Sequence, residues 1–563
     1  MAKISEKIVF KTHQQNQISM LPPSLDELID SHHPVRVVNT VVDHIDLSKL
    51  LATYKGGGTS SYHPRMLLKV LIYGYMTNIY SSRKMEAALK ENIHFMWLAG
   101  MLRPDHNTIN RFRGDRLAPY IKEVFFRVVK LLVDEGVLDL KTVYTDGSFM
   151  ESRANRHTFV WAKNTARHKA RLIEQLDQVW AYAQSVSDTE AEQDESPDFS
   201  SISPEKLEQV IDDIDQLLEQ APDDPVCSKH KKKVKQLKKQ APERLGRYQE
   251  QEQILNGRNS YSKTDPDATF MRTKQDRLGK GEPRPGYNLQ ASSVNQFIVH
   301  WSLHQSPNDS VTLPVHLQEF EEQTGTLPEA VVTDAGYGSE ENYTWLDDHH
   351  IDAYVKYSEF YREQTNSQAW QRKQEFAPAN LYYNASQDCY YCPMGQAMTK
   401  VGVEQVISDN GFTKTVHRYR AQNCRGCPLR GRCHNKPGNR EIKVNHTLNA
   451  FRARAHRLLT SPQGKAYRSQ RSVDTEPVFG QLKYNWKFNR FTMFGMDKIA
   501  SEFGLLAMAH NLSKWMKNPG NGPKQRWYTT KKDILDHLLK ISKNFGEIRA
   551  RIARRLLPAP KFV

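Results

Sequence analysis

No stretch of the chain approaches the ~18 consecutive apolar residues that a membrane-spanning helix needs. The opening MAKISEKIVFK has no apolar run behind its charges, so neither insertion nor export is expected and the protein should be cytoplasmic. Cysteine is scarce: six in 563 residues, five of them between 389 and 433. In a reducing compartment that clustering suggests a metal site more than disulfides. There is no GxxxxGK[ST] segment to cradle a nucleotide phosphate, no evident Ser or Tyr nucleophile motif and no repeat of fixed period.

Positive charge is in excess, with 79 Lys and Arg against 64 Asp and Glu and a formal net charge of +15. A polyanionic partner, DNA or RNA, is therefore favoured over a membrane surface. With 38% hydrophobic residues the chain can fill several cores. Residues 1–45 read as a helical leader, with Ser24 as a cap. Residues 46–137 carry apolar side chains at three-to-four spacing broken at polar or Pro-containing joints, the pattern of an all-helical unit.

After residue 137 the period becomes strand-like. LKTVYTDGS predicts a strand ending at Asp146, GYNLQASSV and FIVHWSLHQ a hairpin turning at Asn295 and Gln296, and AVVTDAGYG a strand ending at Asp334. LPVHLQEFEEQTG and SEENYTWLDDHH supply intervening helices, and IDAYVKYS a last strand. This order specifies a mixed α/β sheet covered by helices, assembled from 138–162, 263–358 and 466–516. Two insertions interrupt it. Residues 163–262 are charged helices with Leu, Ile and Val at heptad-like spacing, a helical hairpin or short coiled coil. Residues 359–465 are rich in Tyr, Cys and Arg, as suits a small module held by metal. A basic tail, 517–563, closes the chain.

Both Asp146 and Asp334 end an apolar run and precede Gly or Ala-Gly, which puts a carboxylate at a sheet edge where ligands can approach. A single Asp there is commonly only a turn-former; two at corresponding edges, with Glu476 opening the helix EPVFGQLKYNWKF, point to a shared site. Pro477 suits the first turn of that helix, with Asp474 or Thr475 as its cap, and Asp474 is a rival to Glu476. Glu151, Asn155 and Asp309 are candidate supporting groups, each with an equally simple structural role.

The blocks HPRMLLKVLIYGY, RPDHNTINRFR, VYTDGSFMESRANRHTFVW, VVTDAGYGSEENY, RSVDTEPVFGQLKYNWKFNRF and GMDKIASEFGLLAMAHNLSKW resemble those of the DDE transposases of bacterial insertion sequences. The resemblance implies an RNase H-like catalytic domain whose metal-binding triad is Asp146, Asp334 and Glu476, with Tyr467, Arg471 and Lys483 as DNA contacts around the Glu. Arg471 lies five residues before Glu476 and Tyr467 four before Arg471, each one residue away from the commonest spacing in related transposases. Hard cations such as magnesium take oxygen ligands. Two of them about 4 Å apart, with manganese as a substitute, can activate an attacking oxygen and stabilise a leaving one. The implied partners are the double-stranded terminal inverted repeats and target DNA, bound by at least a dimer at the nucleoid. A nuclease that cuts without joining, and a DNA-binding descendant without activity, remain open alternatives.

Asp105 can cap a helix that displays His106, Asn107, Asn110, Arg111 and Arg113 behind Arg103, side chains suited to phosphates and base edges. A helix-turn-helix reader or an ordinary bundle with a charged face both fit. Lys229–Lys239 and RARIARR near the end could add phosphate contacts, or be solvated faces. Trp161 and Trp486 could stack on unpaired bases or fill cores. Cys389, Cys392, Cys424 and Cys427 form two CxxC hooks, with Cys433 and His434 just beyond, the ligand types of a zinc ribbon; reduced free thiols are the alternative.

Overall fold

The computed structural model describes residues 24–54, 61–186, 197–220, 225–272, 282–365, 368–408, 411–518, 522–524 and 527–528; most of the leader and of the basic tail, RARIARR included, lies outside them. The chain divides into two compact units, residues 1–112 with 512–563, and residues 113–511.

In the first unit, helices Pro34–His44 and Pro64–Met76 start alike. A His side chain, His33 or His63, accepts the N–H two residues on, and a Pro occupies the first turn, where its missing N–H costs nothing. Val35, Val38, Val42, Leu67, Leu68 and Leu71 are all buried. The Arg65 guanidinium donates to the carbonyls of Val42, Asp43 and Ile45, satisfying acceptors that a helix end leaves open. Shorter helices, Ser82–Glu91, Ile93–Leu98 and His106–Arg111, follow.

The second unit is built on a six-stranded sheet. Its central strand, β1 (Thr142–Glu151), is followed by a small antiparallel ribbon, β2 (Phe159–Trp161) with β3 (Ser260–Ser262). Then come β4 (Thr269–Arg272), β5 (Pro283–Val294), β6 (Phe297–His304), β7 (Ala330–Thr333) and β8 (Asp352–Val355). β5 lies antiparallel to β1 on one side, and β7 lies parallel to it on the other, with β8 beyond. β4 and β6 pair with opposite ends of β5. β5 is buried at every position from Gly286 to Val294 and β7 throughout, because helices cover both faces. Asn295 and Gln296 turn the β5–β6 hairpin with φ of 52° and 65°, left-handed values that suit a two-residue loop.

Helix Ile121–Asp134, whose periodicity grouped it with the N-terminal helices, instead packs on this sheet, with Phe125 against Trp301. The charged insertion forms three helices, Ala162–Val186, Pro204–Gln220 and Pro225–Leu255, where a hairpin or short coiled coil was expected. Leu172, Leu176, Ile211, Leu218, Val234 and Leu237 fill one core between them.

The cysteine-rich insertion is a five-stranded antiparallel meander. It comprises β9 (Tyr383–Asn384), β10 (Cys389–Tyr391), β11 (Ala397–Ile407), β12 (Thr413–Ala421) and β13 (Glu441–Val444). Tyr390, Met398, Tyr419 and Ile442 form its small core. The chain then returns to the main sheet through helices His446–Thr460 and Pro462–Gly480, and helix Met496–Met516 carries it to the end of this unit at Asn511.

Candidate active site

One of the two aspartates departs from the sequence reading. β1 does not stop at Asp146 but runs on to Glu151, because β5 continues to pair with it past that point. Asp334 does end its strand, and its side chain accepts the Gly336 N–H at 2.8 Å to start a tight turn. The parallel register that sets Tyr144 beside Val332 brings Asp146 level with Asp334.

One guanidinium bridges them. Arg471 Nη2 is 3.2 Å from Asp146 Oδ2 and 3.8 Å from Asp334 Oδ2. One turn further along the same helix, Thr475 Oγ1 is 3.5 Å from the same Asp146 oxygen. Burial pushes the Asp146 carboxyl up to about 6; Arg471 opposes the shift, while Asp334 and Asp309 add to it. Burial, with the two neighbouring carboxylates, thus outweighs the one arginine.

The helix carrying Arg471 begins at Pro462, capped by Ser461, so Glu476 and Pro477 lie inside it rather than at its start. Pro477 has no N–H for the carbonyl of Val473, and Gln296 Nε2 donates to that carbonyl at 2.8 Å instead. Glu476 itself is exposed, next to Thr475. Its rival Asp474 is fully buried and accepts Ser293 Oγ at 2.6 Å and the Gln296 N–H at 3.0 Å, which gives it a structural task in tying the helix to the β5–β6 turn.

The three positions expected around Glu476 to face DNA are engaged with the protein. Arg471 is 8% exposed and serves the aspartates. Lys483, equally buried, donates to Ser148 Oγ and the Phe149 carbonyl at 2.7 and 2.6 Å, and burial lowers its ammonium to about 8. Tyr467 packs edge-on against Tyr144 and Tyr354, its hydroxyl 3.3 Å from Thr142 Oγ1. Of the candidate supporting groups, Glu151 pairs with Arg156, Arg284 and Arg490, Asn155 is exposed, and Asp309 reaches the site. Thr475, read from sequence as a helix cap, joins it, as do Gln290 and Tyr337, which had not been singled out; a hydroxyl or amide carries no motif of its own.

The donor chemistry suits a hard cation: carboxylate oxygens, incompletely neutralised. Among the described residues no group of three or more His, Cys, Asp or Glu side chains is gathered as a metal site. A magnesium ion that keeps its waters needs only one or two protein carboxylates plus substrate oxygens, so the aspartate pair fits it.

In the first unit, Asp105 caps helix His106–Arg111 as expected, accepting the Thr108 N–H. Arg103, Asn107, Asn110 and Arg111 are exposed. His106 Nδ1 lies 2.8 Å from Glu86 Oε2. Arg113, the first residue of the second unit, is only 3% exposed. Trp486 is buried, and Trp161, half-buried, rests against Phe159 and Phe270.

None of the six cysteines forms a disulfide. Cys392, Cys424, Cys427 and Cys433 line one small cavity with His434 and Arg440. Arg440 donates its backbone N–H to Cys424 Sγ at 3.3 Å and Nη1 to Cys433 Sγ at 2.9 Å. Cys389 does not line that cavity; its thiol faces Gln387. Cys433, and not Cys389, lines the cavity with the other three.

Two family models match the chain. A transposase DDE domain covers residues 391–516, which includes Glu476 but neither aspartate, and a second transposase domain covers residues 23–115. No curated protein sequence matches significantly. Together the two matches indicate a DDE transposase of the insertion-sequence type. Among the described residues no helix is long and apolar enough to cross a membrane.

Proposed function

We propose that the protein cuts the ends of its own insertion sequence and joins the freed 3′-hydroxyl ends to target DNA, with Asp146, Asp334 and Glu476 as the carboxylates that hold divalent ions. The observation that carries this reading is the register that sets Asp146 level with Asp334, both against Arg471 on the helix of Glu476. The strand order β6-β5-β1-β7-β8, with only β5 running against the others, supports an RNase H-like fold for this domain. Magnesium, bound there, supplies activation of the attacking oxygen and stabilisation of the leaving one.

The chain's own residues set the stage for that step. Arg471 holds the two aspartates together and cancels part of their charge. Thr475 fixes the Asp146 oxygen from the same helix. Lys483, anchored on β1 two residues past Asp146, adds a positive charge beside the path of the phosphodiester. The exposed Arg103, Asn107, Asn110 and Arg111 offer phosphate and base-edge contacts for reading the terminal repeats, and two ends call for at least a dimer on DNA.

A structural zinc ion on Cys392, Cys424, Cys427 and Cys433 is supported by their common cavity and the two N–H···S contacts from Arg440. Metal analysis of the purified protein tests it: one zinc per chain is expected, and none contradicts it.

The functional reading is tested with a pre-cut duplex end bearing a free 3′-hydroxyl. Joining to a target plasmid in magnesium or manganese supports it; hydrolysis without joining reduces the protein to a nuclease.

A further inference from the structure

The glycines that follow the two aspartates are explained by a fourth residue, Asp309. A methyl group at Gly147 would lie 2.5 Å from Gln290 Nε2 and 2.6 Å from Asp309 Oδ1; one at Gly336 would lie 3.0 Å from Asp334 Oδ1 and 3.6 Å from Asp309 Oδ2. The Asp309 carboxylate thus occupies the space left open beside both aspartates. It is clamped on one side only. Asn288 Nδ2 and Gln290 Nε2 both donate to Oδ1, at 2.7 and 2.9 Å. Gln290 is oriented in turn by the buried Tyr337 hydroxyl, which donates to its Oε1. Gln290 stands opposite Gly147 in the β1–β5 register, so strand pairing itself aims the clamp.

We propose that Asp309 is a positioning residue for the ion-binding aspartate pair. Its clamped carboxylate seats the Asp146 and Asp334 segments at fixed spacing and adds a negative charge that draws a divalent cation to them. Asp309 brings the carboxylates here to three against the Arg471 guanidinium, an excess that a divalent ion can balance. This rests on the metal-dependent reading above, and the test separates the two.

Manganese binding to the full-length protein is measured by calorimetry for wild type, Asp309→Asn and Asp146→Asn, with the melting temperature of each without metal. The Asp309→Asn exchange keeps an acceptor oxygen for Asn288 and Gln290 and removes only the charge. The expected result is an Asp309→Asn affinity at least fivefold weaker than wild type, with an unchanged or higher metal-free melting temperature. A loss smaller than fivefold, alongside lost binding in Asp146→Asn, overturns this inference and leaves the metal site standing. Absence of manganese binding in wild type overturns both. Should Asp309→Asn fail to fold, iron-directed hydroxyl-radical cleavage of the wild-type chain gives the answer. Cuts near 309 together with cuts near 146 and 334, suppressed by magnesium, support the placement, and cuts near 146 and 334 alone overturn it.

Discussion

Arg471 Nη2 stands 3.2 Å from Asp146 Oδ2, joining residues 325 positions apart in sequence. The guanidinium is what makes a buried carboxylate, on a strand crowded by two more, tolerable in the absence of an ion. Arg471→Ala leaves those charges without their counterion. In metal-free buffer the variant should lose about 3 kcal/mol of unfolding free energy. Manganese should restore part of it, and denaturant melts with and without the ion measure both effects.

Asp474 and Glu476 are two residues apart and are predicted to behave as opposites. Asp474→Ala strips the acceptor from Ser293 and the Gln296 N–H and should destabilise the fold by about 2 kcal/mol. Glu476→Gln, on an exposed face, should leave the melting temperature within error while DNA cleavage disappears. If instead Asp474→Asn alone abolishes cleavage in a fully stable protein, the third carboxylate has been misassigned.

Acid should destabilise the main sheet through buried histidines. His300, His304 and His316 all have their imidazolium form disfavoured chiefly by burial, His300 to about 3 and His304 to about 4. The unfolded chain takes up protons near 6.5 while the folded one does not. Stability is therefore fully present above that pH and falls as pH drops, by about 1.4 kcal/mol per pH unit for each histidine. Denaturation midpoints between pH 7 and 5 should fall accordingly, and His316→Gln should flatten the slope.

The helical arm is expected to be separable from the chemistry. Leu176 is fully buried in a core that belongs to the arm alone, so Leu176→Ala should cost about 3 kcal/mol there. Proteolysis should cut the arm sooner while manganese binding at the aspartates is unchanged.

The two aspartates were legible in the sequence because each combines an apolar run with a following glycine, a local pattern. The hairpin at Asn295 and Gln296 was legible for the same reason. What sequence could not place was set by contacts distant along the chain. Asp146 reads as a strand end, yet pairing with β5 carries the strand five residues further. Pro477 reads as a helix start, yet Gln296 takes over the orphaned carbonyl and the helix runs through it. Arg471, Lys483 and Arg113 read as cations facing DNA, whereas folding buries all three. Which of the cysteines share a cavity likewise depends on how the meander folds back, not on the spacing within a hook.

The central claim is best tested on a plasmid carrying the DNA that flanks the coding sequence on both sides, incubated in manganese with wild type, Asp146→Asn, Asp334→Asn and Glu476→Gln. End cleavage and end binding are read in parallel. All three variants should bind the ends as wild type does and cleave none; cleavage at the wild-type rate by either aspartate variant would contradict the account.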